Sequence, residues 1–347
     1  MIKKRNATYK KIIGTGGIGK GIIYQLEGNQ TLGRNESRLG TLLDQKDFCK
    51  QHIILHYCSS ILKELNTGIS ILPVGAIGDD ASGKEVLKLI KQVGMKTSYI
   101  TTFKNTPTLN SICFQYSDHE GGNITEKNSA SDKVSPTLIR KVKKEFEKTK
   151  GPCLTVGAPE VPFKSRLELA KLGSKFNSFN TGSFVPSEIK KVMQSEYLTL
   201  LDLLAINLEE ASALTGKLSS KTPDQIVKAC TQKIWKINPS LKLSITNGSK
   251  GAFGCENGKI EKLTGLKTKV ANTAGGGDAS FAGLLIGLAL GYPFMGKKGL
   301  TCVQLARLLS SMSVTSADTI HFGINIKTLK SFSKQQKQKI FSDLIHD

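Results

Sequence analysis

The sequence has no pair of cysteines close enough to clasp a metal: its seven (Cys49, Cys58, Cys113, Cys153, Cys230, Cys255, Cys302) are never closer than nine residues. That spacing excludes a zinc knuckle, and an odd, scattered set suggests no disulfide framework. A reducing cytoplasm is the expected compartment. Long hydrophobic runs are missing too. LLDLLAI, residues 200–206, falls far short of a bilayer's span, and the charged start MIKKRNATYKKII has no apolar stretch behind it. Acidic residues are scarce: 28 Asp and Glu stand against 49 Lys and Arg, a formal net charge of +21. Such a field favours anionic partners such as nucleotides and phosphorylated metabolites. It comes without a finger, a recognition helix or an aromatic RNA-binding pattern, and lysines such as those of IRKVKKEFEKTK (139–150) alternate with acids as on solvated helix faces. Neither a nucleic acid nor a membrane is expected as partner. There is no internal repeat and no low-complexity linker.

What is present is an alternation of β-rich apolar runs with amphipathic segments. SILPVGAIG (70–78) precedes GKEVLKLIKQVG (83–94), and CLTVG (153–157) precedes PFKSRLELAKLG (162–173). DLLAINL (202–208) leads into LEEASALTG, and KLSITNG (242–248) is paired with the apolar helical residues near 280. This order predicts an α/β fold, a mostly parallel sheet with helices on both faces, as one domain over residues 1–347. Two stretches break the alternation: IIYQLEGNQTLG (22–33) and TPTLNSICFQYSDHEGGNITEK (106–127). They are read as strands without crossover helices, a small β lid built from about residues 20–40 and 104–128 that can cover a ligand site. Helical spacing in KGLTCVQLARLLSSMSVTS (298–316) is read as core packing.

KKIIGTGGIGKG, residues 10–21, follows a short strand-like run with five glycines and a lysine. Gly14, Gly16 and Gly19 fit a dinucleotide fingerprint, and Gly14 to Lys20 fits the first seven positions of a P-loop. Neither holds. Gly21 stands where a P-loop needs Ser or Thr, and only eight residues separate Gly19 from Gly28, too few for the crossover helix of a nicotinamide-binding oxidoreductase. The second cluster, VANTAGGGDASFAGLLIGLALG (270–291), is chemically richer. Gly275, Gly276 and Gly277 present main-chain N–H groups at the start of a helix, where an anion can approach without meeting side chains. Asp278 beside them would repel a bound phosphate unless it has another task. Accepting the proton of an attacking hydroxyl during phosphoryl transfer is such a task; complementing the helix dipole is the bland alternative.

Four segments in order resemble the ribokinase-like, or PfkB, carbohydrate kinases between about Ile71 and Thr315. NTAGGGDASFAGLL is similar to that family's D-T-x-G-A-G-D-x-F signature, with Thr273, Gly275, Gly277, Asp278 and Phe281 in place. VGAIGDDASGKEVLKLIKQVGMKTSYI (74–100), the N-x-x-E of NLEEASALTG (207–216), and ITNGSKGAF (245–253) resemble its other segments. The resemblance implies a three-layer α/β/α core with a β lid, ATP as donor and Mg²⁺ as required ion. It implies Asp278 as base, the Gly275, Gly276 and Gly277 amides as anion hole, and Asn207 and Glu210 organising Mg²⁺ and phosphates through water. Thr246, Gly248, Gly251 and Thr273 would lie along the nucleotide. Each motif has a plainer reading: N-x-x-E is also a helix-capping box, and Gly248 and Gly251 also suit a turn.

The departures concern the acceptor. Asn272 and Gly276 replace an Asp and an Ala of the signature, mild changes for the chemistry. The family's sugar-binding G-G-x-x-x-N segment is not visible, and LLDQKDFCKQHIILHYCSSILKEL (42–65) stands in its place. Read as helix, that segment offers Asp47, Lys50, His52 and His56, the two histidines sharing one face at i and i+4. Arg34 and Arg38 of TLGRNESR (31–38) suit an acidic or phosphorylated acceptor together with Lys50. Thr15, Gly16 and Gly17 would bring the first strand close to that acceptor where relatives use an Asp. The expected function is ATP-dependent phosphorylation of an alcohol of a sugar, sugar acid or nucleoside; a non-catalytic nucleotide or metabolite sensor is the alternative, and a homodimer through the lid is allowed for.

Overall fold

The computed structural model describes residues 7–216, 222–296 and 299–338, so Lys298 of the last predicted helix lies outside it. Its strands in chain order are β1 (Lys11–Thr15), β2 (Gly19–Leu26), β3 (Gly40–Phe48), β4 (Ser70–Gly78), β5 (Ile100–Phe103), β6 (Leu109–Gln115) and β7 (Gly121–Thr125). They continue with β8 (Cys153–Gly157), β9 (Phe179–Gly182), β10 (Leu203–Asn207), β11 (Lys242–Thr246), β12 (Gly251–Glu256) and β13 (Lys259–Thr264). Nine of them form one sheet in the order β13-β12-β11-β10-β9-β8-β1-β4-β5, parallel from β11 through β5 and antiparallel where β12 joins β11 and β13.

Parallel strands are apolar on both faces because helices cover both, and β1 shows it in consecutive residues. Ile12 packs with the helices Lys50–Glu64, Gly276–Ala289 and Cys302–Ser313, while Ile13 packs with residues of the opposite layer such as Ile139, Leu169 and Leu172. The result is the expected three-layer α/β/α core. One expectation fails within it: KLSITNG is followed by the antiparallel hairpin β12–β13 rather than by the helix near residue 280. The glycines that punctuate 248–258 make that hairpin, and a single-residue pattern did not separate it.

The helix Gly276–Ala289 is buried along nearly its whole length, with no polar face. It packs on Cys302–Ser313 so closely that a Cβ at Gly283 would lie 2.5 Å from the Ala306 Cα, and one at Gly287 2.9 Å from that of Cys302.

The lid is a separate four-stranded sheet in the order β3-β2-β6-β7. It differs from the sequence reading in one respect. Residues 27–39 are not strand, and residues 40–48, read as the start of a helix, are β3, so Asp47 sits at a strand end and the helix begins at Lys50. A strand that is exposed over most of its length and carries few apolar residues lacks the alternation by which strands are recognised. The lid's outer face is apolar: Ile22 lies opposite Ile112 and Ile112 opposite Ile124, each at least 37% exposed.

Candidate active site

The sharpest geometry is at the start of the helix Gly276–Ala289. Asn272 braces the approach, its Oδ1 accepting from the Ala274 N–H at 2.9 Å and its Nδ2 donating to the Ala317 carbonyl at 2.8 Å. Gly275 then takes the left-handed conformation, φ 78°, and a Cβ there would lie 2.5 Å from the Thr319 carbonyl oxygen. No other residue fits both constraints. The Gly276 N–H donates to the Thr273 carbonyl at 3.2 Å and so is removed from the expected anion hole. Among the described residues, the Gly275, Gly277 and Asp278 N–H groups are left without such partners, and the space beside Gly277 is open for 4 Å. This is an anion cradle built of main chain at a helix N-terminus.

Two cavities meet at this cradle. One, of about 330 Å³, lies beneath the lid; the other, of about 220 Å³, lies over the ends of β10 and β11. Both are lined by Lys50, Asn207, Gly275 and Asp278. Burial pushes the Asp278 carboxyl up, and the Lys50 ammonium pulls it back towards ionisation. Lys50 is held charged chiefly by Asp278 and then by Glu160 and Glu210. Its N–H, the first of the helix Lys50–Glu64, donates to Glu160 Oε2 at 3.0 Å. Glu160 itself has φ 74°, a conformation that strains a residue with a side chain by about 1–2 kcal/mol.

The β10–β11 cavity gathers Asn207, Glu210, Thr246, Ser244, Ser183 and Phe184 with the cradle. Asn207 and Glu210 do form a capping box, the Glu210 N–H donating to Asn207 Oδ1 and the Asn207 N–H to Glu210 Oε2, each at 2.8 Å. That box leaves the Glu210 carboxylate on the cavity wall, where desolvation raises its pKa to about 7. Structural cap and ligand group are thus one residue. Fully buried Arg166 holds the Ser183 carbonyl at 2.9 Å and pairs with Glu188, fixing the loop that carries Phe184. Gly248 and Gly251 do not reach the cavity; their φ values of 52° and 111° turn the chain into β12. Among the described residues no cluster of three or more His, Cys, Asp or Glu could hold a metal by itself. Glu210 beside the open cradle therefore fits a magnesium ion held largely by phosphates and water, the form the resemblance implies.

The cavity beneath the lid is lined by Asp47, Lys50, Ser111, Cys113, Glu160 and Asp278 among others. Asp47 accepts from the Ser111 hydroxyl at 2.6 Å and the Cys113 thiol at 3.3 Å. The lid is shut on the cradle: Thr273 donates its hydroxyl to the His119 carbonyl of the β6–β7 turn at 2.6 Å, so Thr273 faces the lid and this cavity rather than the β10–β11 cavity. At the other end Thr319, the residue against Gly275, accepts from the Phe48 N–H at 3.0 Å.

Several expected acceptor residues are elsewhere. Thr15 is fully buried, Gly16 packs on Ala158 and Gln51, and Gly17 on Glu160; none lines the cavity. Arg34 is exposed on the loop between β2 and β3, and Arg38 is spent on Glu36 and the Gln30 carbonyl. His52 and His56 are buried among Phe48, Tyr57 and Phe322, and desolvation lowers them to about 3 and about 4, so they are neutral packing residues. Of the expected cations only Lys50 lines the cavity. Glu160, Ser111, Cys113 and Gln115 stand in place of the others; of these only the lid strand β6 had a signal, in its β-rich run, while APEV at 158–161 had none.

A sequence model described as pfkB family carbohydrate kinase matches residues 58–325. The ribokinase of Haemophilus influenzae is 25% identical over 221 residues, which cover 64% of this chain and 69% of that protein. Among solved structures, ribokinase from Giardia lamblia superposes with a TM-score of 0.77 at 17% identity, covering 92% of this chain and 99% of that one. Ribokinase from Arabidopsis thaliana, complexed with ribose and ATP, superposes with a TM-score of 0.67 at 20% identity, covering 95% and 99%. At such identities the superpositions establish the ribokinase-like fold.

Proposed function

The chain belongs to the pfkB family of carbohydrate kinases, phosphotransferases that use ATP and Mg²⁺, and from that premise we propose that Asp278 is the general base for phosphorylation of an alcohol on a small sugar or nucleoside. The observation that carries this reading is the sharing of Lys50, Asn207, Gly275 and Asp278 by two cavities. A carboxylate at such a boundary can touch an acceptor hydroxyl on one side while the cradle touches the transferring phosphoryl group on the other.

In the proposed step the acceptor oxygen attacks the terminal phosphorus as its proton passes to Asp278, and the bond from that phosphorus to the ADP oxygen breaks. The Gly275 and Gly277 N–H groups stabilise charge on the phosphoryl oxygens. Lys50 pulls Asp278 towards the ionised form against the upward push of burial. Bound Mg²⁺, organised by Glu210 and Asn207, would neutralise phosphate charge.

Asp278→Asn keeps the shape and every N–H group while removing the base. We expect kcat to fall about 10²- to 10⁴-fold, with ATP affinity by calorimetry unchanged. Undiminished turnover would sink the assignment, and a native chain that binds ATP but releases no ADP with any acceptor would make it a sensor. The exposed Ile22, Ile112 and Ile124 row supports a homodimer through the lid; light scattering of Ile112→Lys against the native chain decides it, since an unchanged mass excludes that surface.

A further inference from the structure

The cavity beneath the lid holds more acidic groups than basic ones. Asp47, Glu120, Glu160 and Asp278 line it against Lys50. Lys50 answers Asp278 and Glu160, its two strongest partners, and is shared with Glu210 as well. Asp47 makes no ion pair among the described residues, although it is only 4% exposed. A buried carboxylate supported only by neutral donors is costly unless a ligand brings the missing charge.

The chain is built to place it there. Between the pairs Gly21–Asp47 and Ile23–Leu43, β3 has three residues where β2 has one, a bulge that sets Asp47 at the strand's inner end. Directly opposite, Gly21 leaves the room: any Cβ there would strike Asp47 Oδ2 and Ser111 Oγ. Gly17 does the same for Glu160, whose Cβ would come within 2.6 Å of an added carbon. The opening glycine cluster thus seats two carboxylates rather than a phosphate.

A second observation is independent of charge. Gln115 follows Ser111 and Cys113 on the same face of β6, about 7 Å beyond Cys113, and lines the cavity. Its Oε1 is buried with no hydrogen-bond partner, while its Nε2 is taken by Gln25 at 2.9 Å. An unsatisfied carbonyl oxygen calls for an N–H or O–H donor from a ligand. The rings of Phe48 and Phe114 complete the wall, and aromatic faces attract cations.

We propose that the acceptor carries a protonated amine, held by the Asp47 carboxylate and the Gln115 carbonyl beneath the lid, so that the substrate class is an amino alcohol of sugar size. This rests on the kinase reading above and narrows it. Phosphorylated or acidic acceptors are disfavoured by the same wall.

The test runs calorimetry and ADP release side by side on D-glucosamine and D-galactosamine, their N-acetyl derivatives and the parent hexoses. The amines are expected to bind at least about tenfold more tightly than either neutral counterpart. Asp47→Asn should erase that preference while the protein stays folded and keeps its ATP affinity, and Gln115→Leu should weaken it. Equal or tighter binding of a neutral hexose, binding of none of the six, or an amine preference that survives Asp47→Asn would overturn the inference. Amine-selective binding without ADP release would leave it standing and remove the kinase reading; ADP release on neutral sugars alone would do the reverse.

Discussion

The two sides of the active site are made of different material. The side proposed to hold phosphate is main chain: a left-handed glycine, a helix start and N–H groups within Thr273–Asp278, all adjacent in sequence. The side proposed to hold the acceptor is side chain, with Asp47 from β3, Ser111, Cys113 and Gln115 from β6, and Glu160 beyond β8. Main-chain recognition can be changed only by altering the backbone, whereas side-chain recognition changes one residue at a time. One fold can therefore hold its chemistry fixed while its acceptor varies.

The largest effect that would break this contrast is Gly277→Asp. The position is open and negative φ is available, so the protein should fold with an unchanged melting temperature. A carboxylate in the cradle should nevertheless lower kcat at least about 10²-fold. Retained turnover would mean that the cradle holds no phosphoryl group. Next comes Gly21→Val, which crowds Asp47 without touching the cradle. The acceptor KM should rise about tenfold or more while ATP affinity stays constant. Parallel loss of both would show the two sides to be mechanically one.

The smallest effect is a pH dependence that separates them thermodynamically. His52 and His56, held neutral by burial at about 3 and about 4 against an ordinary 6.5, bind fewer protons folded than unfolded, so their stabilisation is lost as pH falls below 6.5. Glu160 and Glu210, raised to about 7 from 4.5, bind more protons folded than unfolded, and stability from them grows as pH falls across that window. The melting temperature of the ligand-free protein should therefore vary little between pH 5 and pH 6.5. Glu160→Gln with Glu210→Gln should make it drop towards acid, and His52→Leu should tilt it the other way; identical profiles for all three proteins would refute the assignment.

The same contrast governs what the sequence discloses. Gly275 to Asp278 and the N-x-x-E box are local patterns, legible because helix starts and left-handed turns are specified by neighbouring residues. Only the loss of the Gly276 N–H to Thr273 required coordinates. The core strands were legible as well, since burial on both faces leaves continuous apolar runs. Asp47 stands out in the sequence but on a predicted helix, because β3 exposes Leu42 and is mostly polar and solvent-facing in place of alternation. Glu160 went unnoticed, since no local pattern announces a glutamate in the left-handed region. Arg34 and Arg38 were overvalued for the opposite reason: charge is easily read, but the loop that carries them leads away from the cavity.

The helix that bears Asp278 has its glycines buried against a partner helix and no face turned to water. Past its first turn, whose N–H groups face the open cradle, its amides can meet solvent only when the whole core comes apart, so they should be among the last in the protein to exchange hydrogen for deuterium. The exposed strand β7 needs only a local opening and should exchange early. The proposed base is thus anchored to a segment expected to exchange slowly, while the cover above the neighbouring cavity is expected to exchange early.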